Sequence, residues 1–198
     1  MPVLTSGFEK GHDVAKWVLT DGTQPATIDK SAPLSGAQSL RCNPVASEGL
    51  IATQVATTVD KFGAGMWVYR FRVRFAALPT VDMNISNVVL GGAMFNAADS
   101  KIYAGSVGQY IGATGVSVAA DVVYVIDARM DATTSEWLCD VSVNGEACGQ
   151  ASHTAPGPFA SARKLSLGIW NPTVGGDADA VFDDVVLSVD PADYPIGF

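Results

Sequence analysis

Apolar and polar side chains alternate with a period of two along most of this chain, and Gly, Asn, Asp and Pro interrupt the alternation every few residues. Residues 66–75, MWVYRFRVRF, show it most clearly. Trp67, Tyr69, Phe71, Val73 and Phe75 fall on one face, and Arg70, Arg72 and Arg74 fall on the other. That pattern predicts a strand with one buried and one wet face. Residues 122–131 repeat it, with Val122, Tyr124, Ile126, Ala128 and Met130 inward and Asp127, Arg129 and Asp131 outward. Residues 136–143 and 146–148 flank Asn144-Gly145, a pair suited to the positive φ angles of a type I′ hairpin turn. Further strands are expected over 39–42, 51–56, 88–95, 164–170 and 180–189, with two short ones within the Gly-rich stretch 102–118.

Roughly ten to twelve short strands with no helix between them predict an all-β fold, an antiparallel β-sandwich or barrel. The 198 residues carry no linker, repeat or low-complexity stretch, so a single domain over 1–198 is expected, with 190–198 as a short Pro-containing tail. At 48% hydrophobic and 16% charged, the chain has material for a core and too little charge for a disordered polymer. A net charge of −8 argues against nucleic acid as a partner and against docking on an anionic membrane. No run approaches the ~20 apolar residues of a membrane helix. The first residues show neither a basic nor an apolar leader segment, and three cysteines make no disulfide framework, so folding in a reducing cytosol is expected. Across the Asn144-Gly145 turn, Cys139 and Cys148 come out as diagonal neighbours, roughly 7–8 Å apart, and are expected to be free, buried thiols.

Several segments together carry a resemblance. Gly7-Phe8-Glu9 is followed by Trp17 and by Gly-Ala-Gln-Ser-Leu-Arg at 36–41, then by the long alternating strand and the Trp137 to Gly145 hairpin. The chain closes with Val181-Phe182-Asp183-Asp184-Val185-Val186-Leu187. This series resembles the concanavalin A-like lectin/glucanase jelly roll in its laminin-G-like branch. The resemblance implies that the first and last strands pair, with Phe8-Glu9 beside Phe182-Asp183. The ending from Val189 to Gly197, with Asp190-Pro191 and Tyr194-Pro195, also resembles endings of virion proteins from phages of actinobacteria, often minor tail proteins.

Glucanases of the resembled superfamily set Glu-x-Asp-x-x-Glu on one strand so that two carboxylates flank the scissile bond. The glutamates here are Glu9, Glu48, Glu136 and Glu146, and none has that spacing. His12 and His153 are too few for a His-based triad or zinc site, so no catalytic residue is expected. Trp170-Asn171, leaving a strand for a loop, and Tyr103 and Tyr110, in the Gly-rich stretch, are the candidate sugar-binding residues; the alternative is that they plug the core. Arg70, Arg72 and Arg74 offer a stripe for an anionic partner, or else pair across strands with Asp127 or Asp131. Asp177 and Asp179, in a Gly-rich loop, could supply oxygens to Ca²⁺, against the plainer reading of a solvated turn; no other cofactor is implied.

The expected function is a non-enzymatic structural or display protein of a bacteriophage virion, a minor tail or capsid-surface decoration component, with added adhesion to a host cell-surface glycan. Its expected partners are other virion proteins in a homo-oligomer or symmetric assembly, and its expected location is the virion after folding in the host cytoplasm. A free-standing carbohydrate-binding, lectin-like module and a glycoside hydrolase are the alternatives from other classes.

Overall fold

The long alternating run forms β6 (Met66–Ala77) of a computed structural model that describes residues 4–9, 17–21, 26–43, 54–57, 65–88, 91–108, 110–159, 165–171 and 175–195. The other strands, in chain order, are β1 (Leu4–Ser6), β2 (Trp17–Asp21), β3 (Thr27–Asp29), β4 (Ser39–Cys42) and β5 (Gln54–Thr57) before it. After it come β7 (Met83–Asn87), β8 (Gly92–Asn96), β9 (Lys101–Ser106), β10 (Tyr110–Ser117) and β11 (Val123–Asp131). β12 (Glu136–Val143), β13 (Glu146–Thr154), β14 (Ser166–Trp170) and β15 (Asp179–Ser188) complete the set. The only helical element among the described residues is a 3-10 turn at Pro191–Asp193, capped by the Asp190 side chain on Ala192 N–H.

All strand pairs are antiparallel and fall into two sheets. Sheet A runs β13-β12-β11-β6-β15-β4-β3, with β1 also on β15; sheet B runs β10-β9-β8-β7-β14-β5-β2. The inward side chains of both sheets merge into one core, to which β6 gives Trp67, Tyr69, Phe71, Val73 and Phe75, all fully buried. Phe71 meets Phe182 at 5.9 Å, and Phe75 meets Phe95 of the opposite sheet at 5.9 Å. The antiparallel sandwich expected from the alternation is what forms.

Local differences have local causes. Of the expected strand over 88–95, residues 92–95 belong to β8, while Val88 and Gly91 form an isolated bridge after β7. First and last strands do pair, but through Leu4–Ser6 against Leu187–Val185. Phe8, expected beside Phe182, has left the ladder at φ 56 and packs into the core. The hairpin turn holds, with Asn144 at φ 51 and Gly145 at φ 84. Its first pairs are Val143–Glu146 and Ser142–Ala147, and a bulge then sets Cys139 opposite Ala151. Cys42, Cys139 and Cys148 are free and buried.

Candidate functional site

The two outer faces of the sandwich differ. On sheet A two of the three stripe arginines are neutralised from within. Arg70, directly opposite Asp127 on β11, binds it with two hydrogen bonds of 2.7 Å. Arg72 pairs with Asp184 at 3.2 Å, and Arg74 donates to Ala32 O. Arg129 pairs with Asp140 at 2.6 Å, and the Tyr194 ring lies over its guanidinium at 5.4 Å. Cross-strand pairing therefore takes up the charge of Arg70 and Arg72, while Arg74 has a backbone carbonyl and no carboxylate partner among the described residues. Asp131, the other expected carboxylate, instead accepts from Thr133 in its own turn.

Sheet B presents something else. The core-facing residues of its central strands are Met83 and Ile85, Ala93 and Phe95, Ile102 and Ala104, Val116, and Leu167 and Ile169. The alternating residues face outward and form one row across five strands: Gly115 opposes Tyr103, Tyr103 opposes Met94, Met94 opposes Asn84, and Asn84 opposes Trp170. A register shift between Leu167 and Trp170 places Trp170, not Ile169, opposite Asn84. Gly168 absorbs the irregularity at φ 142.

Tyr103 lies flat across β10. A Cβ built on Gly115 would come within 2.6 Å of its ring carbons, so only glycine lets the ring settle there. Its hydroxyl donates to Asp99 Oδ2 at 2.6 Å, and this hydrogen bond, with some burial, pushes the phenol pKa up and keeps it protonated. Lys101 pairs with the same carboxylate at 3.8 Å. At the other end of the row, Asn84 is 2% and Trp170 8% exposed although both face away from the core. The Ser106–Val107 turn is held onto Asn84 Oδ1 by two hydrogen bonds.

Of the residues expected to bind sugar, Trp170 and Tyr103 thus share a face, three strand spacings or about 14 Å apart. Asn171 does not join them: its amide donates to Asp82 O and ties the end of β14 to the start of β7. Tyr110 opens β10, and its side chain lies outside the described residues. The loop aspartates are drawn elsewhere. Asp179 makes a two-pronged bond to Arg41 at 2.8 and 2.5 Å, and Asp177 is tied to Thr80 through its backbone. Among the described residues no three His, Cys, Asp or Glu side chains gather as a metal site would require. Asn84, Met94 and Gly115 were not singled out from the sequence. The Met-Asn-Ile alternation and a glycine inside a strand pattern were the available signals.

The two-sheet antiparallel sandwich is jelly-roll-like, and solved structures share it. No family model and no curated protein matches the sequence. Among solved structures the chain is similar to the cellulose induced protein Cip1, with TM-score 0.66 and 12% identity over 94% of this chain and 97% of that one. It is also similar to alginate lyase vAL-1 from Chlorella virus, with TM-score 0.62 and 9% identity over 96% of this chain and 100% of that one. A third is the catalytic domain of the glycoside hydrolase family 131 protein from Coprinopsis cinerea, with TM-score 0.57 and 16% identity over 88% and 84%.

These likenesses correct two expectations. The chain was expected to be a bacteriophage virion component and not an enzyme; the solved structures it is similar to include several alginate lyases and the catalytic domain of a glycoside hydrolase. The physical reason is narrow. A missing Glu-x-Asp-x-x-Glu excludes one two-carboxylate arrangement, and polysaccharide cleavage on this fold is not confined to it.

Proposed function

We propose that this chain is a carbohydrate-active protein that holds a polysaccharide across the outer face of sheet B, along the row from Trp170 to Tyr103. The observation that carries the proposal is that row: an aromatic ring laid flat at one end, an indole at the other, and an amide between them. A flat ring backed by glycine offers its free face to the apolar side of a sugar. The outer face of sheet A, with Arg70, Arg72 and Arg129 paired to carboxylates and Tyr194 laid over Arg129, is the poorer alternative. Fold likeness to alginate lyases and to a glycoside hydrolase domain supports the same class of ligand.

For cleavage, the ionisable groups of the described face are Tyr103, Asp99 and Lys101. Among the described residues no facing pair of carboxylates stands there for hydrolysis, and the group suited to protonating a leaving oxygen is the Tyr103 phenol.

A panel of neutral and uronate polysaccharides tests this by affinity electrophoresis for binding and by newly formed chain ends for cleavage. Retardation by at least one polysaccharide is expected, weakened roughly tenfold by Tyr103→Ala through loss of a stacking ring. Tyr103→Phe should keep the retardation and lose cleavage, and Arg72→Ala should change neither. Retardation by no polysaccharide, or its loss in Arg72→Ala alone, would overturn the proposal.

A further inference from the structure

Asn84 and Trp170 stand opposite one another on the outer face of sheet B. Asn84 Oδ1 accepts from Ser106 Oγ at 3.0 Å and from Val107 N–H at 2.9 Å. Two donors on one amide oxygen fix which end of the amide is oxygen. Its Nδ2 is directed away from them and has no hydrogen-bond partner among the described residues, though the residue is 2% exposed. Trp170 Nε1–H is also without a partner among them, in a residue 8% exposed. Trp137, equally buried, shows the ordinary outcome: its Nε1 donates to Gly157 O at 3.1 Å. Arg74 Nε is the one described side-chain atom both sealed from solvent and unpartnered, so the Asn84 and Trp170 donors remain reachable. Buried polar groups are nearly always satisfied, and two neighbouring donors left open on one face ask for an acceptor.

We infer that Asn84 Nδ2 and Trp170 Nε1 form a donor-only subsite for the carboxylate of a uronate residue in the bound polysaccharide. The inference rests on the sheet B reading above and names the substrate class. A carboxylate only accepts and can take both N–H groups at once, whereas a sugar hydroxyl brings a proton that needs its own acceptor. Asn84 Oδ1, the nearest candidate, already holds two donors. Neither donor is charged, and Lys101, the cation of the described face, is paired with Asp99. Recognition by neutral donors is compatible with a chain of net charge −8 and varies little with salt.

Isothermal titration with short β-1,4-oligomannuronate and with the β-1,4-oligomannose obtained by reducing its carboxyl groups tests this. The uronate should bind roughly 10- to 100-fold tighter, the range of hydrogen bonds to a charged group. Asn84→Asp keeps an oxygen for Ser106 and Val107 and replaces the donors by an acceptor, so it should erase that preference, the uronate losing far more affinity than the neutral sugar. Trp170→Phe keeps an aromatic ring without the N–H and should weaken the uronate more than the neutral sugar, which covers the case in which Asn84→Asp fails to fold. Equal binding of both sugars, untouched by either substitution, would overturn the subsite and leave the sheet B face standing. Binding of neither sugar would overturn the subsite, and the face itself falls if the wider panel also fails.

Discussion

Replacing Asp127 by alanine isolates what keeps the sheet A face closed. Its carboxylate holds Arg70 through two 2.7 Å bonds, with side-chain exposures of 12% for the arginine and 2% for the aspartate. Removing it leaves a largely buried guanidinium without this partner, and such losses cost about 3–5 kcal/mol. In a chain of this size each kcal/mol moves the thermal midpoint by roughly 2–4 °C, so a fall of order 10 °C is expected. The Arg129–Asp140 pair is the internal control: its side chains are 32% and 20% exposed, and Asp140→Ala should cost about 0–1 kcal/mol. Replacing Arg70 and Asp127 together by Met and Leu should restore most of the loss, because the charge and its partner leave together. Urea unfolding followed by tryptophan fluorescence measures all four proteins. Equal losses for Asp127→Ala and Asp140→Ala, or a double variant as unstable as the single one, would refute the reasoning.

Other substitutions follow from the same contacts. Gly115→Ala places a methyl where the Tyr103 ring lies, so the ring must lift and polysaccharide retardation should weaken as in Tyr103→Ala; unchanged retardation would count against the flat platform. Ser31 donates to Asp29 through its hydroxyl and its backbone N–H, both at 2.7 Å, and holds that carboxyl below its usual pKa. A depressed carboxylate stabilises the fold above its unfolded pKa and loses that contribution as pH falls through the folded one. Asp29→Asn should therefore flatten the acid limb of stability against pH, and an acid limb identical to that of the parent would contradict the assignment. Burial pushes the Cys139 thiol up to about 12 and Cys148 to about 11, and it raises Cys42 as well. A polar disulfide reagent should label none of the three in the native protein and all three in urea.

The fold was legible because its long strands are half-buried: β6 and β11 announce their faces by strict alternation, and Asn144-Gly145 announces its hairpin. β7 was missed because Met83-Asn84-Ile85-Ser86-Asn87 is buried on both sides in its first four residues, which removes the contrast that alternation relies on. The cross-strand pairing of Arg70 with Asp127 was foreseeable from residue type and register, as one of two readings of the stripe. The row on sheet B was not, since its members come from five strands and depend on a register shift near Gly168. Trp170 and Tyr103 could be picked individually for their chemistry, but only the pairing order sets them on one face with Asn84 between them. Function was misread where one absent catalytic pattern stood in for all polysaccharide chemistry.

The most direct measurement is an amide and indole NMR titration of the ¹⁵N-labelled protein with oligomannuronate, because the four tryptophans supply both reporter and control. The Trp170 indole N–H and the Asn84 side-chain amide should shift together. The Trp137 indole, bonded to Gly157 O, and the Tyr194 amide over sheet A should stay where they are. Shifts gathered at Tyr194 and Arg129, with Trp170 and Asn84 unmoved, would place the ligand on the other sheet and contradict the assignment of the sheet B face.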